Sequence, residues 1–281
     1  MSLRSAVSVR DALDGARTAI AAGGSPSARL DAELLLADAL EVTRERLITD
    51  GALVVTGDAV RRFQARVRRR AVEREPVAYI LGRRAFRRLD LVVDARVLIP
   101  RPETELLVEV ARELEPRERV LDCCTGSGAV ALALKDERGD LRVSGSDVSE
   151  AALDVARANA TRLDLAIEWL HADLLEGLDD RFVAILANPP YVPTAVLASL
   201  EPEVSQHEPA LALNGGNDGL DVIRRLVEQA GRSSTALLAV EHGDDQADAV
   251  AALCEQAGFG TIERRRDLAG IERVVLAQRA A

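Results

Sequence analysis

Aromatic residues are scarce, only 2% of 281 residues. A core must therefore be built mainly from Ala, Val and Leu, and an apolar content of 48% is ample for one. Lysine is nearly missing: Lys135 is the only one, so positive charge rests on arginine. Positive charge is not in excess either. The net charge of −10 argues against a broad nucleic-acid footprint, and no stable nucleic-acid binding is expected. Cysteines number three, Cys123, Cys124 and Cys254. They give no even disulfide framework and no metal-ligand spacing, so they read as reduced thiols without a metal. No run approaches the roughly 20 apolar residues of a membrane span. Met1 to Ala16 carries charges throughout and shows no apolar signal region. The expectation is a cytoplasmic protein that does not enter a membrane.

What is present falls into three stretches, 1–76, 77–100 and 101–281. The first reads as helices only. Val7 to Ala22 is amphipathic and ends at Gly23-Gly24. Ser25-Pro26 offers a cap and a first-turn proline for a second helix. Gly57-Asp58 opens a longer helix with Val60, Phe63, Val67 and Ala71 on one face. Its other face holds Arg61, Arg62, Arg66, Arg68, Arg69, Arg70 and Arg74, and Glu75-Pro76 is expected to end it. That face is either solvated or a docking surface for an acidic macromolecule. With no catalytic constellation, the bundle reads as a recognition domain. Phe86 to Ile99 shows β-type residues around a break at Asp94-Ala95, which predicts a linking hairpin. Ile99-Pro-Arg-Pro-Glu-Thr-Glu105 follows, a stiff entry to a helix whose Arg, Glu and Thr are placed to wall a cleft.

From Arg119 the pattern alternates strand and helix, which implies a parallel sheet. Strands are expected at Val120–Cys123, Leu141–Ser146, Ala166–Leu170, Phe182–Ala187 and Ala236–Val240. Helices begin near Ala129, at Ala151 behind a Ser149 cap, at Asp218 and at Asp245. Phe259–Arg266 and Ile271–Gln278 suit an antiparallel pair closing the sheet.

The fourth of these strands stops at Asn188-Pro189-Pro190-Tyr191. Proline lacks an N–H and pushes the residue before it out of the helical region. A stiff extended turn results, at the sheet edge where open α/β folds bind ligands. The Asn188 side chain carries an amide oxygen, and the Pro189 carbonyl is kept out of a helix. Together they make two acceptors for a planar NH2 group, with the Tyr191 ring beside them. Upstream, Gly126-x-Gly128-x-x-Ala131 fits a dinucleotide fingerprint, with Asp147 about 20 residues on to take ribose hydroxyls. The loop alone suits NAD as well as another nucleoside cofactor. No residue set for hydride chemistry accompanies it. The amine-gripping turn and the antiparallel finish favour S-adenosylmethionine, whose sulfonium also suits an acidic surround.

Asn188-Pro-Pro-Tyr191 after Asp122-Cys-Cys-Thr-Gly-Ser-Gly128 resembles the class I amino-methyltransferases. Pro76-Val-Ala-Tyr-Ile-Leu-Gly82, Leu98-Ile-Pro-Arg-Pro-Glu-Thr-Glu105, Glu208-Pro-Ala-Leu-Ala-Leu-Asn-Gly-Gly216 and Asp267-Leu-Ala-Gly270 narrow this. They resemble the bacterial peptide chain release factor glutamine methyltransferases over nearly the whole chain. The resemblance implies an α/β fold, Rossmann-like, with a seven-stranded, mostly parallel sheet and an antiparallel last strand, joined to the helical bundle by the hairpin. It implies S-adenosylmethionine as cofactor and class 1 release factors as protein substrate. The methylated atom would be the side-chain nitrogen of the Gly-Gly-Gln glutamine. Cys124, Thr125, Gly126, Ser127 and Gly128 would pass beneath the methionine moiety, with Asn188 nearby. Asp147 would hold the ribose, and Asp173 and Leu174 would border the adenine. Asn188 and Pro189 would hold the glutamine NH2, with Pro190 and Tyr191 packing on the amide. Cys124 stands where such loops usually carry glycine, and Arg87-Arg88 replaces a commoner aromatic-glycine pair. A ribosomal-protein glutamine methyltransferase, an adenine methyltransferase acting on a flipped base and a non-catalytic nucleoside-binding regulator remain as alternatives.

Overall fold

The computed structural model describes residues 7–50, 52–179 and 182–279. The charged N-terminal stretch read from Met1 thus begins outside the described residues. The chain divides into two units. One runs to Gly82 and also takes in Glu201–His207; the other comprises Arg83–Leu200 and everything from Glu208 onward.

The first unit contains β1 (Val7–Ser8), α1 (Val9–Ala22), α2 (Ala28–Ala39), α3 (Arg44–Thr49), β2 (Val54–Val55), α4 (Gly57–Ala71) and α5 (Val77–Leu81). Its core is a stripe of Ile20, Leu35, Leu36, Phe63 and Ile80. Ile80 carries α5 into that core, so the unit continues past the break expected at Pro76 and stops at Gly82. There a φ of +70° ends the helix, a conformation glycine adopts without a Cβ clash. Two details depart from the sequence reading. β1 and β2 form a short antiparallel pair where only helices were expected. Ser25-Pro26 starts no helix; α2 begins at Ala28, and Ser25 instead donates to Asp31 at 2.8 Å.

Part of the arginine face of α4 is an internal network, while Arg61, Arg62 and Arg68 are exposed. Buried Arg70 donates to Asp31 at 2.6 Å and to Ser25 at 2.7 Å, and also to Glu203. Arg66 meets Asp38 at 2.6 Å, and Arg69 donates to Glu75 at 2.6 Å. Past the helix, Arg74 donates to Glu203 at 2.6 Å. Burial disfavours the Glu203 carboxylate, but Arg74 and Arg70 overcome it and hold its pKa below the usual range. The acidic partners of Arg66, Arg69, Arg70 and Arg74 lie within the unit itself, which commits these four to structure.

The second unit opens with a hairpin, β3 (Arg83–Phe86) and β4 (Leu89–Val92), that turns at Arg87-Arg88 rather than at Asp94-Ala95. Arg87 takes the left-handed φ of +52° there. Its N–H donates to Glu105 at 3.1 Å and its guanidinium to Glu137 at 2.8 Å, contacts that hold a non-glycine residue in that conformation. A 3-10 turn at Pro102–Thr104 leads into α6 (Glu105–Ala111). There follow β5 (Arg119–Cys123), α7 (Ala129–Glu137), β6 (Arg142–Asp147), α8 (Glu150–Leu163), β7 (Glu168–His171) and β8 (Ala184–Ala187). α9 (Pro202–Ser205) belongs to the first unit. The second resumes with α10 (Ala210–Leu213), α11 (Asp221–Arg232), β9 (Leu237–Glu241), α12 (Ala247–Gln256), β10 (Thr261–Arg266) and β11 (Glu272–Gln278).

The sheet order is β10-β11-β9-β8-β5-β6-β7. Only β11 runs against its neighbours, pairing antiparallel with both β9 and β10. Alternate residues of each strand feed opposite apolar layers. Val120 and Leu186 face one layer with Leu132 and Leu107; Leu121 and Ile185 face the other with Ile223 and Val250. Burial on both faces explains why these strands read as unbroken apolar runs. The order reverses between β5 and β8, so the loops leaving these two strands flank one crevice.

Candidate active site

The loop after β5 is held from below by Asp122. This buried carboxyl accepts from the Thr125 hydroxyl and from the Ala131 N–H at 3.0 Å. Burial pushes its pKa up to about 7. Thr125 N–H donates to the Ser146 carbonyl at 2.9 Å, fixing the loop against β6. Cys124, at φ +61°, is in the left-handed region that glycine favours. Hydrogen bonding to Cys123 and burial push its thiol pKa up, so it stays protonated. The two glycines serve different ends. A Cβ on Gly126 would meet open space, so this stretch leaves room for a ligand. A Cβ on Gly128 would lie 2.8 Å from the Trp169 ring; this glycine serves packing and does not line the cavity.

Asp147 ends β6. Its Oδ2 accepts from the Gly126 N–H and its Oδ1 from the Ser149 N–H, both at 2.9 Å. Burial raises its pKa while these N–H groups pull it back. The Val148 N–H acts in the same direction, and the carboxylate keeps acceptor capacity toward the cavity it lines. Ser149 also caps α8, accepting from Ala152 N–H at 3.2 Å. Asp173 is already paired with Arg225 of α11 at 2.7 Å. Leu174 is buried, with φ +57°, and belongs both to the core and to the cavity wall.

Asn188 leaves the end of β8. Its Nδ2 donates to Thr104 Oγ1 at 3.1 Å. The turn beyond it is pinned: Val192 N–H donates to the Leu213 carbonyl and Gly215 N–H to the Val192 carbonyl, both at 2.9 Å. A Cβ on Gly215 would lie 2.7 Å from the Tyr191 Cα, so that approach requires glycine. The Tyr191 carbonyl accepts from Gln246 at 3.1 Å, and burial pushes its phenol up to about 12.

These elements enclose a cavity of about 290 Å3. Its wall includes Cys124, Thr125, Gly126, Ser127, Asp147, Asp173, Leu174, Asn188 and Pro190. Pro189 is buried, and neither it nor Tyr191 forms part of that wall. Arg101, also on the wall, donates to Glu208 at 2.7 and 2.9 Å, joining two stretches far apart in sequence. Glu241 was missed by sequence reasoning. It ends β9 at 1% exposure, its carboxyl is hydrogen-bonded by Thr104, and burial pushes its pKa up to about 7. The available signal was a lone acid closing the apolar run Leu237-Leu-Ala-Val240 at the carboxyl edge of the sheet.

Residues 11–82 match the PrmC N-terminal domain family, and residues 102–201 match the methyltransferase small domain family. The chain is 40% identical over 276 residues to a protein of Deinococcus radiodurans named release factor glutamine methyltransferase, covering 97% of this chain and 99% of that one. A protein of Mycolicibacterium smegmatis with the same name is 44% identical over 231 residues, 80% of each chain. Among solved structures, a methyltransferase from Pyrococcus furiosus superposes with a TM-score of 0.53 at 15% identity, covering 69% of this chain and 90% of that one. That likeness carries the fold alone.

Proposed function

Because the chain belongs to the release factor glutamine methyltransferase family, we infer that it transfers the methyl group of S-adenosylmethionine to the side-chain amide nitrogen of a release factor glutamine. We assign that glutamine to the Gly-Gly-Gln motif of class 1 factors. The observation that carries the reading is the sharing of one cavity by Asn188, at the end of β8, with Asp147 and the open Gly126 loop.

The cofactor, when bound, supplies an electrophilic methyl on sulfur. Asp147 would take the ribose hydroxyls with the acceptor capacity left beside its backbone N–H bonds. Gly126 lets the backbone pass close under the methionine moiety. Leu174 offers an apolar surface to the adenine, and Asp173 borders it with its carboxylate paired to Arg225. The amide nitrogen is a poor nucleophile because its lone pair is delocalised into the carbonyl. Asn188 Oδ1 and the Pro189 carbonyl accept its two N–H bonds, which raises electron density on nitrogen and stabilises the positive charge that develops in attack. Fixed orientation supplies much of the remainder. Bound there, the cofactor would give up its methyl from sulfur to the nitrogen that Asn188 and Pro189 hold, and the nitrogen would lose one proton to solvent. The helical unit holds no catalytic constellation and selects the protein substrate. The enzyme works in the cytoplasm.

The test offers the enzyme labelled S-adenosylmethionine with a mixture of intact class 1 release factor, ribosomal proteins and DNA. The expected result is one methyl group on the Gly-Gly-Gln glutamine by mass spectrometry. Label on a ribosomal protein or on adenine, with none on the release factor, would overturn the assignment.

A further inference from the structure

We propose that Glu241 and Thr104 are positioning residues that fix which face of the Asn188 amide meets the substrate. The proposal rests on the reading that Asn188 Oδ1 accepts from the glutamine NH2.

An asparagine amide is nearly symmetric in shape but opposite in polarity at its two ends. Turned by half a rotation, Asn188 would aim its own NH2 at the substrate NH2, donor against donor. Thr104 alone does not prevent this, because a hydroxyl both donates and accepts. A carboxylate behind Thr104 removes the ambiguity, since it only accepts. With the Thr104 proton committed to Glu241, Thr104 Oγ1 is left to accept from Asn188. The structure shows both links: Asn188 Nδ2 donates to Thr104 Oγ1 at 3.1 Å, and Thr104 hydrogen-bonds the Glu241 carboxyl. Oδ1, on the other limb of the planar amide, is then the atom left for a ligand in the cavity that Asn188 lines.

The location of Glu241 argues that this relay is more than packing. An acid at 1% exposure closing an apolar strand is costly unless used, and its Oε2 has no partner among the described residues. The groups facing it are Arg101 and Arg273, which favour the ionised form, and Glu103, which opposes it. Tyr191, buried and protonated, feels its charge. The adjacent His242 is also buried, and its pKa is lowered mainly by burial. Protonation of Glu241 would turn it into a donor and allow the chain of hydrogen bonds to reverse. The transfer rate should therefore rise as this carboxyl ionises near neutral pH.

The test compares Thr104→Val, Thr104→Ser, Glu241→Gln and Asn188→Ala with the parent enzyme on intact release factor. It measures S-adenosylmethionine binding and, at saturating cofactor, kcat across pH. Cofactor binding by each variant reports that its site is folded. Thr104→Val should lose about ten- to a hundredfold in kcat with cofactor affinity unchanged, and Thr104→Ser should recover it. Glu241→Gln should lower kcat and abolish its fall on the acid side of neutrality. Asn188→Ala should lose more, on the order of 10²–10³. If Asn188→Ala is impaired while Thr104→Val turns over normally, or while Glu241→Gln keeps the acid limb, the relay is wrong and the role of Asn188 stands. If Asn188→Ala turns over normally, the amide-gripping role itself falls, and the relay with it.

Discussion

The two units treat their polar side chains in opposite ways. In the helical unit, buried charge is matched by charge: Arg70 meets Asp31 and Glu203, while Glu33 takes Arg29 and Arg44. In the sheet unit, polar groups at strand ends keep unused hydrogen-bonding capacity. Asp147 is an acceptor on the cavity wall, Asn188 Oδ1 is the limb of its amide not bonded to Thr104, and Glu241 Oε2 has no partner among the described residues. Matched groups hold structure. Unmatched ones at the carboxyl edge of a parallel sheet are available to a ligand.

The contrast is sharpest at Arg70. Arg70→Ala leaves buried Asp31 without its cation, while Glu203 keeps Arg74, and should cost about 3–5 kcal/mol of stability. Urea unfolding should show it, with cofactor affinity per folded molecule unchanged; a stable variant with weakened cofactor binding would break the contrast. Asp147→Ala should do the reverse. Loss of a charged acceptor should weaken S-adenosylmethionine binding about ten- to a hundredfold. Calorimetric titration with unchanged affinity would remove the ribose assignment.

Cys124 sits between these extremes, a strained residue inside the site. Replacing it by glycine removes the left-handed strain but adds freedom to the unfolded chain, so Cys124→Gly should stabilise by about 0.5–1 kcal/mol. A lower urea midpoint would show that the thiol packs usefully. A further effect is read as a change of slope. The Asp122 carboxyl titrates near 7 when folded and near about 3.9 unfolded. The folded state therefore binds the proton more tightly. The stability this contributes is complete below the unfolded value and is lost as pH rises through the folded one. Asp122→Asn should flatten the decline of melting temperature across that window, and an unchanged slope would place the titration elsewhere. Glu241 shares the window, so part of the decline should persist.

How much of this was legible depended on how far apart the partners lie. The strands were visible because both faces of β5, β8 and β9 are buried, which leaves an apolar run no helix of that length would need. Asn188-Pro-Pro-Tyr191 announced its own turn through proline. Gly126 and Gly128 looked alike in sequence, yet only the contact with Trp169 reveals that Gly128 serves packing. The hairpin was misplaced because Arg87 carries a positive φ that a reader assigns to glycine or asparagine. Its supports, Glu105 and Glu137, arrive from other elements. Arg66 and Arg70 on α4 misled for the same reason. Asp31, Asp38 and Glu203 are distant in sequence, so pairing looked like exposure. Glu241 stayed hidden because Thr104, which gives it meaning, precedes the whole sheet.

Glu201–His207 has a consequence for modularity. This segment departs from the loop after Asn188-Pro-Pro-Tyr191, yet it is counted with the helical unit, where Glu203 meets Arg70 and Arg74 and His207 meets the Glu73 carbonyl. The helical unit is therefore discontinuous in the gene, and the chain passes between units at Gly82, Leu200 and His207. A single cut does not separate them. A deletion of the first 82 residues would leave Glu203 without its arginines in the loop that follows the amide-gripping turn. Exchanging recognition units between relatives requires two segments to be transplanted together, so that drift in either constrains the other.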